Sequence, residues 1–147
     1  MMVISVPHSG TRSLRDHLGL DGYWHWNLND ADINRYEGLA HIPVRDPFDI
    51  SISWMARYPT EPEKNQKGLL TTLDKMIAYT HQRPRTQFHV IEELPLNVGK
   101  GPEHWAKLKK NRKKALKLDQ VIELRRWMGG KMAFYERFYP KGFWWYG

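Results

Sequence analysis

Pro7-His8-Ser9-Gly10-Thr11-Arg12-Ser13 follows the apolar run Val3-Ile4-Ser5-Val6 and leads into a segment with Leu14 and Leu18 at helical spacing. A strand, a Gly-containing turn and a helix start together suit an oxyanion. The helix start presents backbone N–H groups and a positive dipole end. Gly10 lets the backbone approach closely, Thr11 and Ser13 add hydroxyl donors, and His8 or Arg12 adds positive charge. A second element carries related chemistry. His41-Ile42-Pro43-Val44 reads as a strand that ends in Arg45-Asp46-Pro47 and enters a helix. Arg45 then sits at the C-terminal end of its strand, the edge where open α/β sheets bind ligands. Ser53 lies about two helical turns beyond Pro47. An Arg at a strand end and a hydroxyl on the next helix can grip one phosphate from two sides.

Other anion-binding signatures are missing. A Walker A loop needs G-x-x-x-x-G-K-[ST]. Gly129-Gly130-Lys131 is followed by Met132, and Arg125 stands where the first Gly would be. There is no G-x-G-x-x-G fingerprint either, which disfavours an ordinary ATPase, GTPase or Rossmann dehydrogenase. A plain strand–turn–helix with ordinary capping shares the local pattern of the first loop. The chain has no Cys, which removes disulfides, Cys-ligated zinc, iron–sulfur clusters and thiol nucleophiles.

The elements that must position these loops alternate. Val3–Val6, Gly22–Trp26, Leu39–Val44 and Phe88–Ile91 read as strands. Thr11–Leu18, Asn29–Tyr36, Pro47–Tyr58 and Leu69–Tyr79 read as helices, with a break over Pro59–Pro62. Gly19 is the expected C-cap of the first helix, and Pro47 stands in the first turn of the third. After a loop over Pro95–Pro102, Glu103–Lys117 reads as a basic helix. A further helix runs from Asp119 towards Phe138, with Val121, Leu124, Met128 and Tyr135 at core spacing and a bend at Gly129-Gly130. Strands alternating with helices predict an α/β fold: a small parallel β-sheet flanked by helices, a P-loop-like three-layer sandwich. At 147 residues the chain suits one domain over 1–147, with a basic helical C-terminal part from about 100.

The net charge of +7 is concentrated. Residues 100–131 carry eleven Lys/Arg against three Asp/Glu, and the remainder is close to neutral. Such a segment attracts phosphates, acidic polymers, nucleic acid or a membrane surface, and it also suits a solvated helix face. No apolar run approaches the ~18–20 residues of a membrane span. The N-terminus is too short for a signal h-region before Pro7. The expectation is a soluble, cytoplasmic protein.

The two loops together resemble the sulfotransferases that use 3′-phosphoadenosine 5′-phosphosulfate (PAPS). The family's first motif has the form P-K-S-G-T-T-x-L and binds the 5′-phosphosulfate; here it reads Pro7-His8-Ser9-Gly10-Thr11-Arg12-Ser13-Leu14. The second, R-[DN]-P-x-D-x-x-x-S, is matched at every specified position by Arg45-Asp46-Pro47-Phe48-Asp49-Ile50-Ser51-Ile52-Ser53. The resemblance is clear over roughly the first 58 residues. Beyond them, Phe88-His89-Val90-Ile91-Glu92-Glu93-Leu94 is similar to the family's strand that ends in a Y-E-D-L-type turn. Ala133–Phe138 and Tyr139–Gly142 are fainter matches to C-terminal segments.

The resemblance implies transfer of a sulfuryl group from PAPS to an acceptor hydroxyl or amine, leaving PAP, without a metal. It implies that Ser9, Gly10, Thr11, Arg12 and Ser13 hold the 5′ end of the nucleotide. Arg45 and Ser53 would then hold its 3′-phosphate. The family's loop Lys is His8 here, so His8 and Arg12 are the candidate cations beside the leaving group. His25, between Trp24 and Trp26, is the first candidate for the base. His41 lies upstream of Arg45 on its own strand, and His17, His81, His89 and His104 have no motif context. Trp24, Trp26 and Trp54 read as core, although the family's site stacks one aromatic on adenine. The short chain leaves little room for a substrate lid, so the acceptor site would be open or completed by another subunit. The basic segment would suit an acidic or macromolecular acceptor. Two further readings stay open: a relative that binds PAPS, PAP or another nucleotide without turnover and acts through a partner, and a small nucleic-acid-binding protein using residues 100–131.

Overall fold

The structure, a computed structural model, describes residues 1–7, 9–57, 62–83, 85–94, 125–126 and 128–140. The expected basic helix over Glu103–Lys117, the Pro95–Pro102 loop, Val121, Leu124, His8 and His104 lie outside the described residues.

Four strands form one all-parallel sheet: β1 (Met2–Ser5), β2 (Tyr23–His25), β3 (Ala40–Val44) and β4 (Thr86–Val90). Their order is β2-β1-β3-β4. Chain direction across the sheet therefore changes once: β1 to β2 moves one way, and β2 to β3 to β4 moves the other. The crevice beyond the C-terminal ends of β1 and β3 is the topological switch point, where such sheets bind ligands. β1 and β3 pair only through Met2–Ala40 and Val3–His41, whereas β3 and β4 pair along all five residues. The ladder between β1 and β3 thus ends before the loops begin.

Helices cover both faces. α1 (Thr11–Leu18) uses Leu14 to cover Val3, with Leu18, Leu20, Tyr23 and Ile91 packed alongside. It stops as expected at Gly19, whose φ of 67° is easy only for glycine. The N–H of Gly19 donates to Asp16 O and that of Leu20 to Arg15 O, the Schellman pattern. On the opposite face Ile4, Val6, Ala40, Ile42 and Val44 meet Ile33 of α2 (Asp30–Arg35) and Phe48 and Ile50 of α3 (Pro47–Arg57). Leu69, Leu73 and Met76 of α4 (Pro62–Gln82) complete this core with Met132 and Tyr135 of α5 (Lys131–Glu136). The alternation of Val3 and Ile4 between the two clusters is the period-two signature of a strand covered on both sides.

Most strand and helix ends shift by one or two residues from the expected bounds, and the start of α4 shifts furthest. The helix expected over Leu69–Tyr79 starts at Pro62, seven residues earlier. Its first two turns carry no apolar stripe because they face the cleft described below, so periodicity could not find them; Pro62 suits the first helical position, where no N–H is needed. The C-terminal helix is interrupted at Gly129, whose φ is 48°, and resumes at Lys131. No helix among the described residues is long and apolar enough to cross a membrane.

Candidate functional site

The β1–α1 turn is built locally. Ser9 is buried, and both its N–H and its Oγ–H donate to Val6 O, at 3.3 and 2.5 Å. Gly10 adopts φ 93°, ψ 28° as the N-cap. A Cβ there would overlap Cγ1 and Cδ1 of Ile91, so both conformation and space require glycine. The first helical bond runs from Leu14 N–H to Gly10 O at 3.0 Å. The N–H groups of Thr11, Arg12 and Ser13 therefore precede any intrahelical acceptor, which is the condition for holding an anion.

The β3–α3 turn is built from several elements. Asp46 is fully buried and caps α3: its Oδ1 accepts from Phe48 N–H at 2.9 Å, with Pro47 at the first helical position. Its own N–H donates to Glu92 Oε1 at 2.9 Å. Glu92 lies in the 3-10 turn Ile91–Glu93 that ends β4, within the segment likened above to a Y-E-D-L-type turn. The Tyr139 hydroxyl donates to both Glu92 oxygens, at 2.9 and 3.1 Å. Burial raises the Glu92 carboxyl above the usual carboxylate value despite these bonds. Burial, then the Glu92 charge, pushes the Tyr139 phenol well above its usual range. Arg45 is buried to 7% exposure, and its Nε lies 4.0 Å from Oδ2 of Asp49, a fully buried carboxylate one turn along.

Both turns open into one cleft of about 780 Å³ at the crevice. Gly10, Thr11, Arg12 and Ser13 line one side, and Arg45 lies across from them. Lys64, Asn65, Gly68 and Thr72 of α4 form a further wall, and Trp26 and Asn27 of the β2–α2 loop another. That loop is pinned to α4 by Lys75, whose Nζ donates to Asn27 Oδ1 at 2.5 Å and Asp30 Oδ2 at 2.6 Å. Among the described residues, the cleft is lined by three basic side chains, Arg12, Arg45 and Lys64, and by no carboxylate. A concave site lined this way favours an anionic ligand, with Arg45 buried and Arg12 and Lys64 exposed to solvent.

Arg12, Gly10, Thr11, Ser13, His25 and Arg45 thus converge from the sequence expectations. His25 Nε2 lies 3.2 Å from Thr11 Oγ1, and the His25 N–H donates to Asn29 Oδ1 at 3.0 Å. Ser9 uses its hydroxyl inside the turn rather than towards the cleft. Ser53 is half-buried on α3 and is not among the residues lining the cleft; its neighbour Trp54 is. Trp26 and Trp54, read as core, have one edge each on the cleft. His41 lies low on β3, as expected, with Nδ1 2.9 Å from His89 Nε2. The α4 wall was missed. Lys64, Gly68 and Thr72 recur every four residues, a polar and small stripe beside Leu69 and Leu73, and that spacing was the available signal.

Compared with protein-family models, curated proteins and solved structures, the chain matches none of them. Its function must be argued from the site.

Proposed function

We propose that this chain binds PAPS in the switch-point cleft and transfers its sulfuryl group to an acceptor hydroxyl or amine. The observation that carries this reading is the convergence of the Gly10 turn and the Arg45 turn on one cleft whose described lining has three basic side chains and no carboxylate. The volume, about 780 Å³, suits a nucleotide-sized ligand. In this reading the N–H groups of Thr11, Arg12 and Ser13 bind the 5′ end, with the Thr11 and Ser13 hydroxyls. Arg45, oriented by Asp49, binds the 3′-phosphate; Ser53, which does not line the cleft, has no part in this reading. Arg12 and Lys64 offset the negative charge that develops on the departing phosphate oxygen. The donor supplies the sulfuryl group; the protein positions it and the acceptor, and the chemistry needs no metal.

Calorimetric titration with PAP tests the nucleotide site. The expected result is a Kd in the micromolar range, weaker binding of ATP, and a loss of roughly 10–100-fold in Arg45→Ala, the size of one charge-assisted phosphate contact. Absence of PAP binding by the folded protein would overturn the reading. A second reading, nucleotide binding without turnover, is favoured by His8 at the position of the family's Lys. PAP release from PAPS in the presence of varied acceptors separates the two.

A further inference from the structure

Thr11 lies between two side chains that each compete for its hydroxyl. Its Oγ1 is 2.7 Å from Ser5 Oγ and 3.2 Å from His25 Nε2. Ser5 is fully buried at the end of β1, Thr11 is 6% exposed, and His25 ends β2. Thr11 and His25 both line the cationic cleft. A hydroxyl has one proton to donate and two lone pairs to receive. With an oxyanion beside Thr11, three partners surround that one group. The anion accepts only, so it takes the Thr11 proton. The hydroxyl oxygen can then only accept, and an Nε2 without a proton would face it lone pair to lone pair; among the described residues Ser5 Oγ–H and His25 Nε2–H are placed to donate to it.

We propose that an oxyanion bound at Thr11 fixes His25 as a hydrogen-bond donor through Nε2, making His25 a positioning residue for the anion rather than a proton acceptor through that nitrogen. The inference rests on the nucleotide reading above and assigns a role within the same site. Only protons move. His25 meets the requirement as the neutral tautomer that carries its proton on Nε2, the Nδ1 tautomer losing that proton to solvent as Nε2 gains one, or as the imidazolium after taking one proton from solvent. The bond from His25 polarises the Thr11 hydroxyl towards the anion. Any base function of His25 in the loaded site would have to use Nδ1.

The test combines imidazole ¹H–¹⁵N spectra of the full chain with PAP affinities. In the PAP-saturated protein, His25 Nε2 should show the shift of a proton-bearing nitrogen. Thr11→Val should abolish that fixed state, and Thr11→Ser, which keeps the hydroxyl, should retain it. His25→Gln keeps an N–H donor and should hold PAP affinity within about twofold. His25→Leu should weaken it about fivefold to tenfold, the size of one neutral hydrogen bond. A purely space-filling role would make Leu and Gln equivalent, and that result overturns the proposal. So does a PAP-bound protein whose His25 Nε2 carries no proton, while PAP binding itself leaves the nucleotide reading standing. Failure of PAP to bind at all removes the nucleotide reading and this one with it.

Discussion

The two turns that face each other across the β1–β3 crevice are held in opposite ways. The Gly10 turn is made almost entirely by its own residues, through Ser9 on Val6 and the left-handed Gly10, with Ile91 as its close outside neighbour. The Arg45 turn is held from a distance: Asp46 is bonded to Glu92, which lies 46 positions along the chain, and Glu92 to Tyr139, 47 further on. Every residue from Ala40 to Ser51 is buried. The locally built turn ties the Ser9 hydroxyl inward and leaves the N–H groups of Thr11, Arg12 and Ser13 ahead of any intrahelical acceptor. A turn clamped by three segments holds its Arg in advance and loses little freedom on binding. One side of the cleft is thus fixed by local backbone geometry and the other by contacts far apart in the chain.

Substitutions can break that contrast. The largest effect is expected from Gly10→Val. A side chain there meets Ile91 and must hold a positive φ, so stability should fall by on the order of 3 kcal/mol, read from urea unfolding. A change below about 0.5 kcal/mol would mean that the turn is not locally constrained. Asp46→Ala removes the cap on Phe48 N–H and should cost about 1–2 kcal/mol in the same measurement. It should also weaken PAP binding, because Arg45 loses its preset frame. An equal loss of stability with unchanged affinity would separate the clamp from Arg45.

Two smaller effects are read as pH dependence. The folded carboxyl of Glu92 lies above its ordinary value of 4.5 because burial outweighs its hydrogen bonds. Its contribution to stability is therefore complete below about 4.5 and is lost as pH rises through the folded value. Glu92→Gln should remove that slope, so wild type should lose stability relative to the variant as pH rises above 4.5. Low in the sheet the sign reverses. His41 and His89 are lowered from 6.5, chiefly by burial; the chain's amino terminus adds repulsion at His41, and His41 and then His17 add it at His89. Their contribution is present above about 6.5 and is lost as pH falls through the folded values. His89→Gln should flatten the acid limb of the unfolding midpoint against pH. An unchanged limb would show that the pair does not govern it.

Much of the site was legible where its parts are contiguous. Arg45 to Ser53 spans nine successive positions, and Pro7 to Leu14 eight, so turn chemistry and helix capping were readable in one pass. The walls were harder. Lys64 to Gly68 carries no apolar period, because that face of α4 lines the cleft rather than the core, and the helix start was misplaced for the same reason. The Lys75 tie to Asp30 and Asn27 joins residues 45 and 48 positions apart, and the His41–His89 contact another 48. Nothing in local spacing marks such pairs.

Helix starts, caps, the glycine turn and the alternation of strands with helices follow from short-range forces. Backbone φ preference, i to i+4 hydrogen bonding and the facing of alternate side chains act within a few residues of each position. Strand order and register act across the whole chain. They put the switch point between β1 and β3, set Glu92 under Asp46, and brought Thr11 within reach of His25. Those contacts depend on how separate segments bury their apolar faces together, and burial is a property of the assembled sheet rather than of any one stretch of chain.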